Sequence, residues 1–306
     1  MSGSPDRRTL RDVLSLILKT LISGFLLYWI VRNVELAQLV QFFKTNLHLV
    51  FFVFLLSLIH LLNEFLRFWL VIRLGRFHPS GAKLIKVFFI GYAFRFLLPG
   101  GQGEVGKMLY IEGRRSHRLA AYVIEKGSQV YVIVLLFGLA LAYLFPGYWF
   151  PGWSITALLA IAVIFWNRVT RIRYIRPYVP SKFGSRKFFL LESGLAILNV
   201  GIITLEYHLL LARFDPGILN VSAVVVVILT VIMIPVSLAG LGLRETAASQ
   251  LLQRFGVPLD IGVGVPLLVF AFNVALPALI GVALFLTYRI ELHGISFDNL
   301  LNEDKG

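Results

Sequence analysis

The chain has 306 residues, 58% of them hydrophobic and 15% charged, with a formal net charge of +13. A soluble domain carries about a quarter charged residues, and here the apolar residues fall in long blocks, so a water-soluble fold is excluded and a polytopic all-α membrane protein is expected. The absence of cysteine excludes disulfides and thiolate chemistry, and the six histidines form no H-E-x-x-H or comparable cluster, so neither a metal site nor a cofactor is expected.

The amino terminus, "MSGSPDRRTLRD", is polar and basic, and no small-residue cleavage site follows it. The first apolar block is therefore expected to stay as a start-transfer helix. In chain order the apolar blocks are Val13–Val31, Leu47–Val71, Ile85–Leu98, Ala120–Phe145, Trp149–Trp166, Phe188–Leu211, Leu219–Ala239 and Gly262–Tyr288. Two of these eight segments differ from the rest. Ile85–Leu98 is short, carries Arg95 and runs into Pro99-Gly100-Gly101; Leu219–Ala239 contains Pro235 and is followed by "SLAGLGLRE" at 237–245. Between the fourth and fifth blocks, "YLFPGYWFPGW" at 143–153 is a short uncharged turn whose rings suit a membrane interface.

Loop charge decides how the segments cross. If all eight cross, the basic loops 72–84 and 100–119 fall on opposite sides. The 167–187 loop, with Arg168, Arg171, Arg173, Arg176, Lys182, Arg186 and Lys187, then falls outside, against the rule that Lys and Arg collect in the cytoplasm. If the two unusual segments are re-entrant, six segments cross. Arg7, Arg8, Arg11, both loops around the third segment, the 167–187 cluster and the tail are then all inside. Only Arg32, Lys44, Arg213, Arg244 and Arg254 remain outside. This arrangement places both termini in the cytoplasm of a cell (inner) membrane protein. It also divides a single membrane domain into halves of about 13–145 and 149–288, each with two spans, a broken segment and a third span, the second half inverted. "LNEFLRFWL" around Glu64 echoes "TLEYHLLLA" around Glu206, and "GQGE" echoes "GLGLRE". Inverted repeats with paired Gly/Pro-broken segments mark transporter folds, with the substrate site at the repeat interface.

The stretch "LLPGGQGEVGKM" at 97–108 spells two nucleotide-binding patterns, G-x-G-x-x-G and G-x-x-x-x-G-K. The first needs a strand before it, and "KLIKVFFIGYAFRFLLPGG" reads as a membrane helix; the second needs Ser or Thr where Met108 stands. Both are rejected. The glycines instead permit a tight reversal after Pro99. Such a reversal is tolerated at membrane depth only where protein or a water-filled cavity covers it, and its free N–H groups suit an anion such as a lipid phosphate.

Polar residues inside the segments fall on shared helical faces: Ser57, His60, Glu64 and Arg67 on one, Glu192, Asn199 and Glu206 on another, with Glu125, Lys126 and Gln129 in the fourth segment. Each charge costs roughly 2.5–3.5 kcal/mol at a helix centre and must face a partner or water. Glu64 and Arg67 are spaced to pair. The faces read either as a polar path for a headgroup or as interhelical contacts, and His60 reads as structural.

"FRFLLPGGQGEVGK" and "IPVSLAGLGLRE" resemble the two signature segments of a flippase-like membrane family, the transmembrane region of lysylphosphatidylglycerol synthases. The resemblance covers nearly the whole chain, and P-x-S-x-x-G-x-G-x-R-E is its most specific part. It implies a polytopic domain with two re-entrant segments that moves lipids between leaflets. It further implies a stand-alone member lacking the aminoacyl-transferase domain of the full synthases, and so not an enzyme. The chain departs from the family at Lys126 in "IEKG", where an Arg follows the acidic residue, and at Asn273, where Arg is common. Lys126 keeps the charge without the forked geometry of Arg.

The expected substrate-binding set is Arg95, Gly103, Glu104, Glu125, Lys126, Ser237, Gly240, Gly242, Arg244 and Glu245, with Glu64, Arg67 and Glu206. Arg95, with Lys126 or Arg244, is expected to attract an anionic headgroup, while Glu104, Glu245, Glu64 and Glu206 pair with these cations or with a cationic headgroup. The expected function is translocation of an anionic or modified lipid. Two other classes stay open: a membrane-embedded enzyme on a lipid-linked substrate, with Glu104 and Glu245 as acid and base, and a scaffold for a lipid-modifying enzyme. The expected partners are a membrane lipid and anionic lipids at the basic loops. A homo-oligomer or a lipid-modifying enzyme stays open as a further partner, and nucleic acid is not expected.

Overall fold

The computed structural model describes residues 35–165 and 185–288 apart from 76, 98, 235, 236, 238 and 239, together with 28, 32 and 168. Among the described residues all regular structure is helical. Nearly all of the expected first segment, Val13–Val31, most of the basic 167–187 loop, Pro235 and the C-terminal tail lie outside them.

The chain begins its described course with α1 (Leu36–Thr45). The sequence reading places a loop there. Apolar residues at 36, 39, 40 and 43 nevertheless recur at helical spacing, and Phe42 is buried, stacked on Phe214 at 6.3 Å. Next come α2 (Leu47–Leu74) and α3 (Gly81–Leu97), followed after one residue by a 3₁₀ segment, Pro99–Tyr110. Then follow α4 (Arg115–Leu144), α5 (Trp149–Ile164) and α6 (Arg186–Leu211). The last part holds α7 (Ile218–Val231), α8 (Leu243–Gln253), α9 (Leu259–Phe270), a π-helical turn (Ala271–Ala275) and α10 (Leu276–Tyr288).

Among the described residues, five helical runs are long and apolar enough to cross a membrane: Leu47–Leu74, Arg115–Leu144, Pro146–Ile164, Arg186–Phe214 and Leu259–Thr287. They coincide with five of the eight expected segments, and the chain is an α-helical polytopic membrane protein. The two unusual segments are the short ones. At 1.5 Å per residue α3 is about 25 Å long and α7 about 21 Å, short of the roughly 30 Å of a bilayer's hydrocarbon.

Each short helix packs against the segment that follows its break, α3 against the 3₁₀ segment and α7 against α8. Close approach explains the glycines here. A Cβ on Gly91 would meet Lys107 at 2.8 Å, and one on Gly106 would meet the Phe94 ring at 2.9 Å. Each hairpin has its own apolar core. Around α3 it is built from Phe68, Val87, Phe88, Ile90, Met108 and Ile111, with Ala278 of α10. Around α7 and α8 it is built from Val221, Val224, Ala248 and Leu252, with Leu211 of α6 and Val265 of α9. The last helix therefore closes the first hairpin: α10 lies along α3, where Gly281 faces the Phe89 carbonyl.

α5 is different in kind. It packs on α4, with Gly152 against Gly138, small residues that bring two backbones together. Gly152 is its one buried residue; Ile155, Leu159 and Val163 are half-buried, and most of the remaining residues are exposed, as a lipid-facing helix requires. Tyr143, Tyr148, Trp149, Phe150 and Trp153 are exposed around the α4–α5 turn, the placement expected of interfacial rings.

Candidate functional site

The centre of the molecule is charged. Arg67 on α2 is 1% exposed. Its Nη1 donates to Glu64 Oε1 at 3.0 Å, its Nε to Glu192 Oε2 of α6 at 3.3 Å, and its Nη2 to Glu125 O and Ser128 Oγ of α4. Asn63 Nδ2 donates to Asn199 Oδ1 at 2.5 Å, and Asn199 in turn donates to Glu64 Oε1. Beside this lies Lys107 of the 3₁₀ segment, also 1% exposed, donating to Glu104 at 2.7 Å and Glu125 at 2.9 Å and standing 4.3 Å over the Phe68 ring. Lys126 joins the two groups through Glu104 at 2.9 Å, Glu125 at 3.5 Å and Glu64 at 3.9 Å.

Four carboxylates thus meet three cations. An unpaired charge at this depth is strongly unfavourable, and mutual pairing is what lets the set exist. Arg95 of α3 supplies a fourth positive charge, and Glu104 is the acid that acts on it most strongly. It makes no ion pair within 4 Å among the described residues.

Arg95 instead lines a cavity of about 70 Å³. The cavity walls also carry His60 and Glu64 of α2, Gln129 of α4, Tyr207 of α6, Arg244 of α8 and Asn273 of the π-helical turn, completed by apolar side chains of α7 and α9. Elements from both halves therefore meet there, and both breaks contribute an arginine. The space exceeds the roughly 10–15 Å³ that a cavity needs to admit a water.

The second break has its own geometry. Gly240 (φ +77°) and Gly242 (φ +82°) hold backbone conformations that side-chain-bearing residues rarely adopt, and a Cβ on Gly240 would meet Ile232 at 2.9 Å. Gly242 precedes α8, and its N–H donates to Glu245 Oε2 at 2.7 Å. The other Glu245 oxygen accepts from Arg244 Nη2 at 2.7 Å and Nε at 3.0 Å. The guanidinium lies 4.0 Å over the Phe270 ring. The glycine turn, the helix start and the arginine's direction are thus fixed together.

Glu64, Arg67, Glu104, Glu125 and Lys126 from the expected set share the ionic cluster, and Arg95, Glu64 and Arg244 share the cavity. Gly103 is buried in the 3₁₀ segment, and Ser237 is buried with no partner for its hydroxyl among the described residues; neither lines the cavity. Glu206 has no cation in ion-pair reach among the described residues and accepts from Asn273 Nδ2 at 2.6 Å, so the expected pairing with an arginine is replaced by a neutral partner.

The sequence reading gave Lys107 no role. It lies three residues beyond Glu104 in an apolar run, and that spacing was the available signal. Glu192 is fully buried on Arg67. The stretch after α3 follows a helix rather than a strand, so the frame that either nucleotide motif needs is absent there. Among the described residues, no three His, Asp or Glu side chains are grouped to hold a metal ion.

No curated protein and no solved structure matches the chain. The family model for the lysylphosphatidylglycerol synthase TM region matches residues 16–281. That span takes in both broken segments, the ionic cluster and the cavity between them, and the chain belongs to that family.

Proposed function

We propose that the protein moves a lipid between leaflets, with the headgroup passing through the cavity between the two broken segments and the acyl chains staying in the bilayer. One observation carries this reading: two arginines, one from each break, line a single cavity of about 70 Å³. Arg95 is the stronger candidate for the group that meets an anionic headgroup, because among the described residues no carboxylate lies within 4 Å of it. Arg244 is oriented by Glu245 and Phe270 and approaches from the opposite break. The family points to lipid modification or translocation. Translocation without chemical change fits a site whose carboxylates beside the cations are already engaged, leaving Glu104 and Glu245 no free acid–base role.

In this reading α3 with its 3₁₀ segment, and α7 with α8, are re-entrant hairpins. Their arms are each too short to cross, at about 25 and 24 Å for the first and about 21 and 17 Å for the second. The halves are inverted, the termini and basic loops face the cytoplasm of a cell (inner) membrane, and those loops bind anionic lipids.

The test is a flip assay in proteoliposomes, with fluorescent short-chain phosphatidylglycerol and a membrane-impermeant quencher. The protein is expected to expose the inner-leaflet probe faster than empty vesicles do. Arg95→Gln is expected to abolish that gain while leaving the melting temperature unchanged. A rate equal to that of empty vesicles, or full activity in Arg95→Gln, contradicts the proposal.

A further inference from the structure

Glu206 is a buried carboxylate with no cation in ion-pair reach among the described residues. Its side chain is fully buried on α6. Oε2 accepts from Asn273 Nδ2 at 2.6 Å, whereas among the described residues Oε1 has no donor, and Asn273 Oδ1 is also buried without one. Two acceptors on one hydrogen-bonded pair are therefore orphaned together. Glu125 and Glu192 also leave one oxygen without a donor, but each meets a cation through the other.

The charged and titratable groups on the elements packed around this stretch are mostly paired with one another. On α4 Glu125 and Lys126 belong to the ionic cluster, while Arg95 of α3, which packs on the π-helical turn, makes no ion pair within 4 Å among the described residues. On α2 the groups are His60, Glu64 and Arg67, the latter two paired with each other. On α8 they are Arg244 and Glu245, likewise paired. On α9 it is Asp260, which accepts from Glu35 N. On α6 itself they are Glu192, Tyr207 and His208. α7 carries none.

We propose that Glu206, facing Asn273, is a proton-binding site of the protein. A carboxylate is an acceptor only, but a protonated carboxyl has one O–H to give. An acid placed against a carboxamide is matched in both directions, amide N–H to carboxyl oxygen and carboxyl O–H to amide oxygen. One proton on Oε1 thus supplies the donor that both orphaned atoms lack, and buried polar atoms are as a rule satisfied.

The site also borders the cavity. Asn273 lines the cavity shared with Arg95 and Arg244, as do Ile203 and Tyr207, the residues three before and one after Glu206. Asn273 stands in a π-helical turn, a local irregularity of the kind that recurs at functional sites. Resting on the translocation reading, the proton is a second cargo. Its arrival or departure switches the Glu206–Asn273 contact between α6 and the π-turn, at the wall of the headgroup cavity.

The test reads the proton itself. Infrared difference spectra of the purified protein in lipid nanodiscs are recorded against pH, for the native chain, Glu206→Gln and Asn273→Ala. The carbonyl band of a buried protonated acid is expected in the native chain, lost in Glu206→Gln and shifted in Asn273→Ala, which keeps the acid should Glu206→Gln fail to fold. A spectrum without that band, or a band that both variants leave untouched, overturns the site. In the flip assay, an imposed pH gradient is expected to change the native rate and to leave that of Glu206→Gln unchanged. If the band is present and no phosphatidylglycerol moves, the proton site stands and the translocation reading falls. If lipid moves and the band is absent, the reverse holds.

Discussion

The two broken segments solve one problem in two ways. After the first, the chain continues as a 3₁₀ segment tied down by salt: Lys107 and Glu104 reach into α4, and Lys126 reaches back. After the second, the turn is fixed by backbone conformation at Gly240 and Gly242 and by a local pair, Arg244 with Glu245, that needs no distant helix. The long helices differ in the same sense. Glu64 on α2 is held by Arg67, Lys126 and Asn199, whereas Glu206 on α6 is held by Asn273 alone. The ionic cluster joins α2, α4 and α6, whereas Glu206 meets the π-helical turn through a neutral amide. The proposed rocking of one part against another would use both kinds of contact.

The largest effect should come from breaking the ionic cluster. Lys107→Met leaves Glu104 and Glu125 competing for Lys126 in a buried setting, and removal of one partner from such a set costs about 3–5 kcal/mol. The variant is expected to lose most of its folded yield, read by size-exclusion of detergent extracts; a native yield and melt would show that the cluster does not hold the helices together. Gly242→Ala attacks the other hairpin through its backbone. Forcing a side-chain-bearing residue to positive φ costs about 1–2 kcal/mol, so a lower melting temperature and reduced lipid transport are expected together as Arg244 loses its placement.

The paired carboxylates sharpen the contrast. Glu64→Gln should lower thermal stability by about 1–2 kcal/mol because Arg67 and Lys126 lose an acceptor, whereas Glu206→Gln should leave the melt unchanged. Equal effects would erase the distinction between the two contacts. The smallest effect belongs to the surface pair of Lys83 and Glu112, 2.6 Å apart. The Lys83 hydrogen bond holds the exposed Glu112 carboxyl below its ordinary value. Its stabilisation is present above the ordinary carboxylate pKa and is lost as pH falls through the lowered one. Water screens so exposed a pair, so Lys83→Ala should not measurably move the melt at neutral pH.

Much of this was legible in the sequence, for physical reasons. Long apolar runs have one stable form in lipid, so the five long helical runs followed from composition. Pro99 and the glycines at 240 and 242 marked both breaks, because few residues tolerate those turns. The spacing of Glu64 and Arg67 on one helix gave their pair. Interhelical partners were not legible. Nothing in the sequence says that Asn63 meets Asn199, that Glu192 meets Arg67, or that Lys107 reaches α4, since those contacts depend on how the helices dock. α1 was missed because a short amphipathic helix between apolar blocks has the composition of a loop.

The most direct test of the central claim, that both broken segments return to the side from which they came and bring their arginines to one cavity, is side-specific labelling. The chain has no cysteine to remove. Single cysteines at positions 117 and 176 are probed in intact cells with a membrane-impermeant thiol reagent, with a cysteine in the 246–260 stretch as the outside control. The account predicts that the control labels and that 117 and 176 label only after the membrane is opened. Labelling of both 117 and 176 in intact cells would mean that α3 and α7 cross, and it would contradict the account.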